Sequence, residues 1–193
     1  MSRTLISRSV APLTLVALLA MTGCTGDSAP APEDVASAPS VSPATGETVT
    51  GEAYTFRAPE GWGYPDEAPE GYDESMFVAD LTDLDDGFTD NLNIISSPAG
   101  EITPEQVETA GIAELEAAEA TDVTALDRVS VAGGESAHLT AGFSAEDISY
   151  TIDQYYLTDA GQTHIATFSF SPDVSQAERD ELAASVLATW TWN

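Results

Sequence analysis

An apolar N-terminal leader sets the first limit on what this chain of 193 residues can fold into. Residues 10–21 are apolar, broken only by Pro12 and Thr14, and they follow the basic residues Arg3 and Arg8. About a dozen apolar residues are too few to cross a hydrocarbon core of roughly 30 Å as a helix, but they suit the h-region of a signal peptide. We therefore expect residues 1–23 to be a signal peptide.

The segment after the leader has a composition that predicts no packed structure. Residues 25–50 are rich in Ala, Pro, Ser and Thr and hold few large apolar side chains. They therefore bury too little surface to offset the conformational entropy lost on ordering. We expect residues 24–50 to be a disordered tether and residues 51–193 to form one globular domain of ordinary size.

The motif Met21-Thr22-Gly23-Cys24 directly follows the apolar stretch. It resembles the lipobox of bacterial lipoproteins, in which a small residue precedes a cysteine that is diacylated and becomes the new N-terminus; Met21 stands where Leu is usual. Cys24 is the only cysteine, and a lone thiol in an exported protein needs such an explanation. A buried structural cysteine is the alternative, but the position at the end of a leader disfavours it. We expect acylated Cys24 to anchor the protein on the extracytoplasmic face of the cell membrane.

Acidic residues dominate the chain, whose formal net charge at pH 7 is −28. All 33 acidic residues follow Cys24, where Arg57, Arg128 and Arg179 are the only basic residues. Such a surface repels nucleic acid and anionic lipid headgroups, because both need cationic partners. We therefore exclude nucleic acid as a partner and interpret the acidity as favouring solubility outside the cytoplasm. Attraction of cations or of a basic partner is the alternative.

Alternation of apolar and polar residues predicts a series of strands in the domain. The predicted strands are residues 52–58, 75–81, 88–96, 127–131, 135–143, 147–157 and 163–171. Asp86-Gly87 and Asp159-Ala160-Gly161 predict tight turns between neighbouring strands. In the clearest case, alternation puts Ile148, Tyr150, Ile152 and Tyr156 on one face.

Two helices carry start signals. Thr103 and Gln106 match a capping box with Pro104 in the first turn, and Ser175 with Glu178 matches a second. The first helix has a modest apolar stripe at Val107, Gly111, Leu115 and Ala118, and the second has one at Leu182, Val186 and Trp190, with Ala183 and Leu187 beside it. Antiparallel strand pairs with two amphipathic helices imply an α+β fold, an antiparallel β-sheet flanked by helices.

Short motifs follow one another in a fixed order through the domain. They are Pro59-Glu60-Gly61-Trp62, Asp90-Asn91-Leu92-Asn93, Thr103-Pro104-Glu105, Val131-Ala132-Gly133-Gly134 with Ala137, and Trp190-Thr191-Trp192. This order resembles the LpqN-type actinobacterial lipoproteins of the PsbP/Mog1-like group. The resemblance implies an α/β/α sandwich around an antiparallel sheet. It implies no single activity and no catalytic residues, since the group includes photosystem accessory subunits, a small-GTPase binder and lipoproteins linked to envelope lipid metabolism.

Catalytic and metal-binding patterns are sparse. Nucleophilic hydrolysis needs a Ser or Cys with a positioned His, and the chain has two histidines, His138 and His164. Alternation puts His138 with Ser136 and Thr140, and His164 with phenylalanines, and neither histidine lies in a Gly-x-Ser-x-Gly motif. With Cys24 lipidated, two isolated histidines predict no dedicated zinc site. We therefore expect a non-enzymatic protein, with an envelope hydrolase that uses His138 or His164 as the alternative.

Calcium is the one metal that the sequence leaves open, because it accepts carboxylates on irregular loops. Asp83, Asp85, Asp86 and Asp90 lie close together around Gly87, although their spacing does not match an EF-hand. A solvated hairpin tip is the simpler explanation of these acids. We expect no cofactor, with a weak calcium site at these four residues as the alternative.

Three aromatic residues are the candidate ligand or partner contacts. Trp62, Tyr64 and Tyr72 lie in a Gly- and Pro-rich stretch that predicts a loop, and aromatic residues on loops often contact ligands. Trp62 alternatively closes one end of the core. The leading functional prediction is a membrane-anchored binding module that presents a groove between sheet and helix, or a loop surface, to an envelope lipid or protein. An accessory subunit of an envelope complex is a further alternative.

Overall fold

The architecture is taken from a computed structural model that describes residues 41–66, 76–84, 88–145 and 148–193. The predicted signal peptide, Cys24 and most of the predicted tether lie outside the described residues, as do Tyr72, Asp85 and Asp86. The described part of the chain contains a seven-stranded and a three-stranded β-sheet, with helical segments beside them. The predicted α+β class with an antiparallel sheet is therefore confirmed.

The elements follow one another in a regular order. They are β1 (Thr48–Thr50), β2 (Tyr54–Arg57), β3 (Trp62–Gly63), β4 (Phe77–Asp80), β5 (Asn91–Ser96), α1 (Pro104–Gln106), a π-helical segment (Val107–Gly111), α2 (Ile112–Ala117), β6 (Thr121–Val131), β7 (Gly134–Ala145), β8 (Ile148–Asp159), β9 (Gln162–Phe170), α3 (Gln176–Leu187) and β10 (Thr191–Trp192).

The seven-stranded sheet has the order β3-β4-β5-β9-β8-β7-β6, and all of its strand pairs are antiparallel. The long strands β6 to β9 form a meander. Its β8–β9 connection is the predicted turn, with Ala160 and Gly161 both at positive φ (48° and 82°). Two successive positive φ angles are what a two-residue hairpin with the right-handed strand twist requires.

One face of this sheet carries the main core, and we name it the core face. The small sheet, of order β1-β2-β10, and helix α3 supply the side chains that pack against it. Trp190 stacks on Tyr54 and Phe56, with ring centroids 4.5 and 5.3 Å apart. Fully buried side chains of the large sheet meet this layer, among them Leu92, Leu157, Phe168 and Phe170. Val186, Ala183 and Leu187 of the predicted α3 stripe are buried, so this part of the stripe is confirmed.

The predicted start of the domain at residue 51 is too late. Val49 is 2% exposed in β1, which pairs with β2, although residues 24–50 were assigned to the tether. Ala44 is also buried, and its N–H donates to the carbonyl oxygen of Ser185 at 2.9 Å. A three-residue strand with one apolar side chain has no periodicity to detect, because its stability comes from pairing with β2.

The opposite face of the large sheet is covered only in part, and we name it the groove face. The predicted capping box of Thr103 and Gln106 is present, with Pro104 at the helix start. Val107 and Gly111 are buried against the sheet, as their stripe predicts. The intervening turn is π-helical, and Leu115 after it still packs against the same buried cluster. Ala118, at the end of α2, is exposed rather than part of the apolar face.

Gly111 allows the closest approach of this helical segment to the sheet. A Cβ atom at this position would lie 3.2 Å from Leu139 Cδ1 and 3.5 Å from the Tyr156 hydroxyl. Arg128 of β6 then fixes the orientation of the segment. Its guanidinium donates two bonds to Glu108, at 2.6 and 2.8 Å, and also pairs with Glu105 at 2.8 Å. These hydrogen bonds raise the pKa of Arg128.

Candidate functional site: a groove on the sheet and two buried histidines

A groove of about 330 Å³ lies on the groove face, beside α2. Its polar lining residues come from β5, β8 and β9: Asn93, Gln154, Thr167 and Ser169. Its apolar lining residues are Met76, Ile94, Ile95, Leu115, Phe143, Tyr150 and Ile152. Ligand sites commonly have volumes of about 300–1,000 Å³ and combine apolar walls with a few polar groups, and this groove matches that description at the small end.

Strand alternation explains why polar side chains line the groove. In β5, Leu92 and Ile94 are buried in the main core, and Asn93 between them lies on the groove face. In β9, Phe168 is buried in the core and Thr167 lies in the groove. Because successive side chains of a strand point to opposite faces, the same strands build both a packed core and a polar surface.

A chain of hydrogen bonds orients the polar side chains of the groove. The Tyr156 hydroxyl donates to Gln154 Oε1 at 3.0 Å, and Gln154 Nε2 donates to Thr167 Oγ1 at 3.2 Å. Asn93 and Ser169 lie nearby and are only 8% and 7% exposed. The groove therefore presents fixed hydroxyl and amide groups at its base rather than mobile ones.

Apolar and aromatic side chains form the walls of the groove. Ile95 is 54% exposed, which is unusual for a large apolar side chain on a strand next to the core. Tyr150 stacks between Phe143 and Phe88, with ring centroids 5.5 and 5.1 Å apart. No Asp, Glu, Arg or Lys is among the described residues that line this groove, although the chain carries 33 acidic residues.

His138 lies on the core face, next to a buried ion pair. Its Nε2 atom is 3.6 Å from Asp153 Oδ1, and Asp153 Oδ2 accepts a bond from Arg179 Nε at 2.7 Å. Burial acts to raise the pKa of Asp153, but the contacts with His138 and Arg179 outweigh burial and lower it. The His138 ring stacks on Tyr155 with centroids 4.2 Å apart.

His164 lies in a different part of the core face. Its Nδ1 atom is 3.1 Å from Ser96 Oγ on the neighbouring strand β5. Its ring packs edge-on against Tyr54 and lies 5.7 Å from Trp192. Burial lowers the pKa of His164, so the neutral form is favoured in this position.

A catalytic triad combines two histidine contacts that are made here by two different histidines. Such a triad needs one histidine that contacts a nucleophilic hydroxyl through one nitrogen and a carboxylate through the other. His164 has the hydroxyl of Ser96 within 3.1 Å, whereas His138 has the carboxylate of Asp153 at 3.6 Å. Neither arrangement is complete in the described part of the chain.

The predicted aromatic contacts take different positions. Trp62 is 4% exposed and belongs to the main core, which is the second of the two roles predicted for it. It lies in the short strand β3 rather than in a loop. Tyr64 is 43% exposed, and burial and the charge of Glu47 raise its pKa. Tyr72 lies outside the described residues, so its role stays a prediction.

The candidate calcium ligands are described in part. Asp90 Oδ1 accepts the backbone N–H of Ser171 at 2.7 Å, a contact that joins β5 to the end of β9. Burial raises the pKa of Asp90 even though this hydrogen bond lowers it. Asp83 is exposed, and Asp85 and Asp86 lie outside the described residues. Among the residues that are described, no group of three or more His, Cys, Asp or Glu side chains could hold a metal ion.

Comparisons with known proteins give a likeness of fold. No family model and no curated protein matches the sequence. LpqN of Mycobacterium tuberculosis, involved in cell envelope biogenesis, is similar in structure, with 14% identity over 72% of this chain and 83% of that chain, and a TM-score of 0.51. The cyanobacterial PsbP of Synechocystis sp. PCC 6803 has 18% identity, coverage of 82% and 99%, and a TM-score of 0.46. A protein of Bacteroides thetaiotaomicron has 17% identity, coverage of 72% and 45%, and a TM-score of 0.43.

The likeness to LpqN supports the predicted fold. Membership of the LpqN-type lipoproteins stays a prediction, because identities this low carry the fold and not the function. None of the helices in the described ranges combines the length and hydropathy that a membrane span requires.

Proposed function

We propose that this protein is a membrane-anchored, extracytoplasmic binding module of the cell envelope whose groove holds an uncharged amphiphile. The observation that carries the proposal is the absence of charged residues among the described residues that line the groove. In a chain with a formal net charge of −28, a concave surface without charge differs from the acidic surface expected elsewhere.

The lining chemistry favours a ligand with two kinds of surface. Ile95, Ile152 and the stacked Phe143 and Tyr150 would contact an apolar chain. The amide of Asn93 and the other polar groups at the base would bond an uncharged head that both donates and accepts hydrogen bonds. A charged head would lack a counter-charge among the described lining residues and would lose its hydration on entry.

The proposed location rests on the predicted leader and on the predicted acylation of Cys24. The role of LpqN in cell envelope biogenesis supports, by likeness of fold, a role in the same compartment.

A hydrolase is the second candidate, and the pair of Ser96 and His164 is the observation that favours it. The imidazole is 5% exposed and its pKa is lowered, and these properties suit a neutral base. Its ring is, however, packed against Tyr54 and Trp192, and no carboxylate bonds it among the described contacts. We therefore rank binding above hydrolysis. An accessory subunit is the third candidate, and the exposed apolar side chains that it would use lie outside the groove, at Tyr64, Leu81, Leu84 and Ile148.

The test uses the mature chain, residues 24–193 with Cys24→Ser, so that no detergent is needed. The probe is 1-monooctanoylglycerol below its aggregation concentration, and octyl sulfate and octylammonium are charged probes of equal chain length. We expect a 1:1 adduct with the uncharged probe in native mass spectrometry. We also expect methyl shifts of Ile95 and Ile152 in NMR that saturate on titration, with at least tenfold weaker binding of both charged probes.

A matched pair of variants locates the site. Ile95→Glu puts a carboxylate into the groove at an exposed position, and we expect it to weaken monooctanoylglycerol binding at least tenfold. Leu81→Glu adds the same charge at a comparably exposed position outside the groove and should leave binding unchanged. Equal loss in both variants, or the absence of saturable binding in the parent chain, would refute the proposal. Hydrolysis of the ester that disappears in Ser96→Ala would favour the hydrolase instead.

A further inference from the structure

A second concave site lies on the other side of the molecule, between α3 and strands β6 to β8. This cleft has a volume of about 290 Å³ and shares no lining residue with the groove. Its walls are mainly apolar: Val129, Val131, Tyr155, Ala184 and Leu187. Two side chains with ionisable groups, His138 and Asp180, also line it. The proposed amphiphile function makes no use of any of them.

Three buried polar atoms around this cleft have no hydrogen-bond partner. They are His138 Nε2, Asp153 Oδ1 and Asp180 Oδ1. His138 is 5% exposed and Asp153 is 0% exposed, so bulk water does not satisfy either atom. The 3.6 Å separation between His138 Nε2 and Asp153 Oδ1 is longer than a hydrogen bond. Buried polar atoms are nearly always bonded in native proteins, and three exceptions at one cleft need an explanation.

The charges around the cleft do not balance. Arg179 is bonded to Asp153 Oδ2 at 2.7 Å and to the carbonyl oxygen of Val174 at 3.1 Å. It therefore offsets one carboxylate, and the carboxylate of Asp180 remains without a bonded cation among the described residues. Both carboxylates act on the Tyr155 hydroxyl, whose pKa is raised first by burial and then by the charges of Asp153 and Asp180.

We propose that this cleft binds a small apolar molecule that carries one protonated amine. The ammonium group would donate to Asp180 Oδ1 and to His138 Nε2, and the hydrocarbon part would contact Tyr155 and the aliphatic walls. A cation supplies donors to Asp180 Oδ1 and His138 Nε2 and offsets the charge of Asp180, whereas an anion would meet that carboxylate. The apolar walls favour an organic amine over a hydrated inorganic cation.

The cleft is reachable from solvent in the described structure. Ser130 and Ala188 line it and are exposed, and Asp180 is partly exposed. An organic amine can therefore enter without unfolding of α3. This site is independent of the uncharged groove, so each of the two proposals can fail alone.

The test measures binding of cyclohexylammonium to the mature chain at pH 7 by NMR titration, with cyclohexanol and ammonium chloride as probes that each lack one half of the ligand. We expect saturable shifts at the ring of His138 and the methyl groups of Leu187. Binding of cyclohexylammonium should be at least tenfold tighter than that of either half-probe. Shifts confined to Ile95 and Ile152 would place the amine in the groove and overturn the proposal.

Matched variants on α3 separate a built site from general attraction to an acidic protein. Asp180→Asn keeps the shape of the side chain and should weaken cyclohexylammonium binding at least tenfold. Glu181→Gln removes the same charge from the next residue, which is exposed and outside the cleft, and should change binding less than twofold. Equal effects of the two variants, or weak unsaturable shifts in the parent chain, would show general attraction only and would overturn the proposal.

Discussion

The two faces of the large sheet are built from the same strands but differ in how their polar groups are used. On the core face, aromatic side chains such as Phe168 and Trp190 fill the space between sheet, small sheet and α3. On the groove face, the helical segment covers part of the sheet, and Asn93 and Thr167 remain beside an open groove. The comparison shows that the same strands contribute to a packed core on one face and to the proposed groove on the other.

Each face also contains one arginine that joins a helical segment to the sheet, in a different environment. Arg179 bonds a fully buried carboxylate, Asp153, on the core face. Arg128 bonds Glu108, Glu105 and Glu135 on the groove face, where the carboxylates are accessible to water. A buried ion pair is costly to break, whereas exposed pairs contribute little.

The largest expected effect comes from a cavity on the core face. Phe168→Ala removes a side chain that is 0% exposed and packs against Tyr155 and Phe170, and we expect a loss of about 3–5 kcal/mol in the free energy of unfolding. Ile95→Ala on the groove face should change it by about 0.5 kcal/mol or less, because Ile95 is half exposed. Urea unfolding of both variants measures the difference. Similar losses would mean that the groove face belongs to the core.

Breaking the buried ion pair should have an effect of similar or slightly smaller size. Arg179→Met leaves Asp153 buried without its cation, and we expect a loss of about 3–5 kcal/mol at pH 7. Arg128→Met, its counterpart on the groove face, should cost less. A pH series of urea midpoints measures both.

The lowered pKa of Asp153 predicts how the stability contributed by the buried ion pair changes with pH. The pKa of Asp153 is lowered in the folded protein, so its contribution to stability is present above the unfolded pKa of about 3.9 and is lost as pH falls through the lowered value. The gap between the parent chain and Arg179→Met should therefore narrow from pH 5 towards pH 3. A gap that stays constant over this range would contradict the assignment of Asp153 as the affected group.

The smallest effects are expected at the two capping boxes. Ser175→Ala and Thr103→Ala each remove a side-chain acceptor for the first turn of a helix, which costs about 0.5–2 kcal/mol. Loss of the Ser175 cap should lower global stability, because α3 is part of the main core. Loss of the Thr103 cap should mainly speed amide hydrogen exchange in residues 104–117. Exchange that is unchanged there would show that the Arg128 contacts alone hold this segment.

Much of the fold was predictable because its signals are local. Alternation located the long strands β7 to β9, and the capping boxes at Thr103 and Ser175 gave both helix starts. The strands β1 and β10 were missed because each is too short to show a period and exists through pairing with β2. The π-helical turn was missed for a related reason, since Gly111 reveals its close approach to Leu139 only when the sheet is in place.

The candidate site was less predictable. The sequence singled out Trp62 and Tyr64 because aromatic residues in a Gly- and Pro-rich stretch are conspicuous, and Trp62 is in the core. Asn93 and Thr167 were missed, although each lies between apolar residues that are buried in the core. A polar residue between two apolar residues was the available signal. Alternation alone, however, does not distinguish a solvated polar face from a groove.

The sequence by itself determined the positions of the long strands, the helix starts and the acidic character of the protein, because these depend on neighbours in sequence or on composition. It also predicts a leader and a lipid anchor at Cys24. The amphiphile and amine binding experiments do not test these two predictions. The tertiary structure alone decided that Asp153 meets both His138 and Arg179, and that Asn93, Gln154 and Thr167 share one groove. These groups are distant in sequence, and only the pairing of β5, β9, β8 and β7 brings them within contact distance.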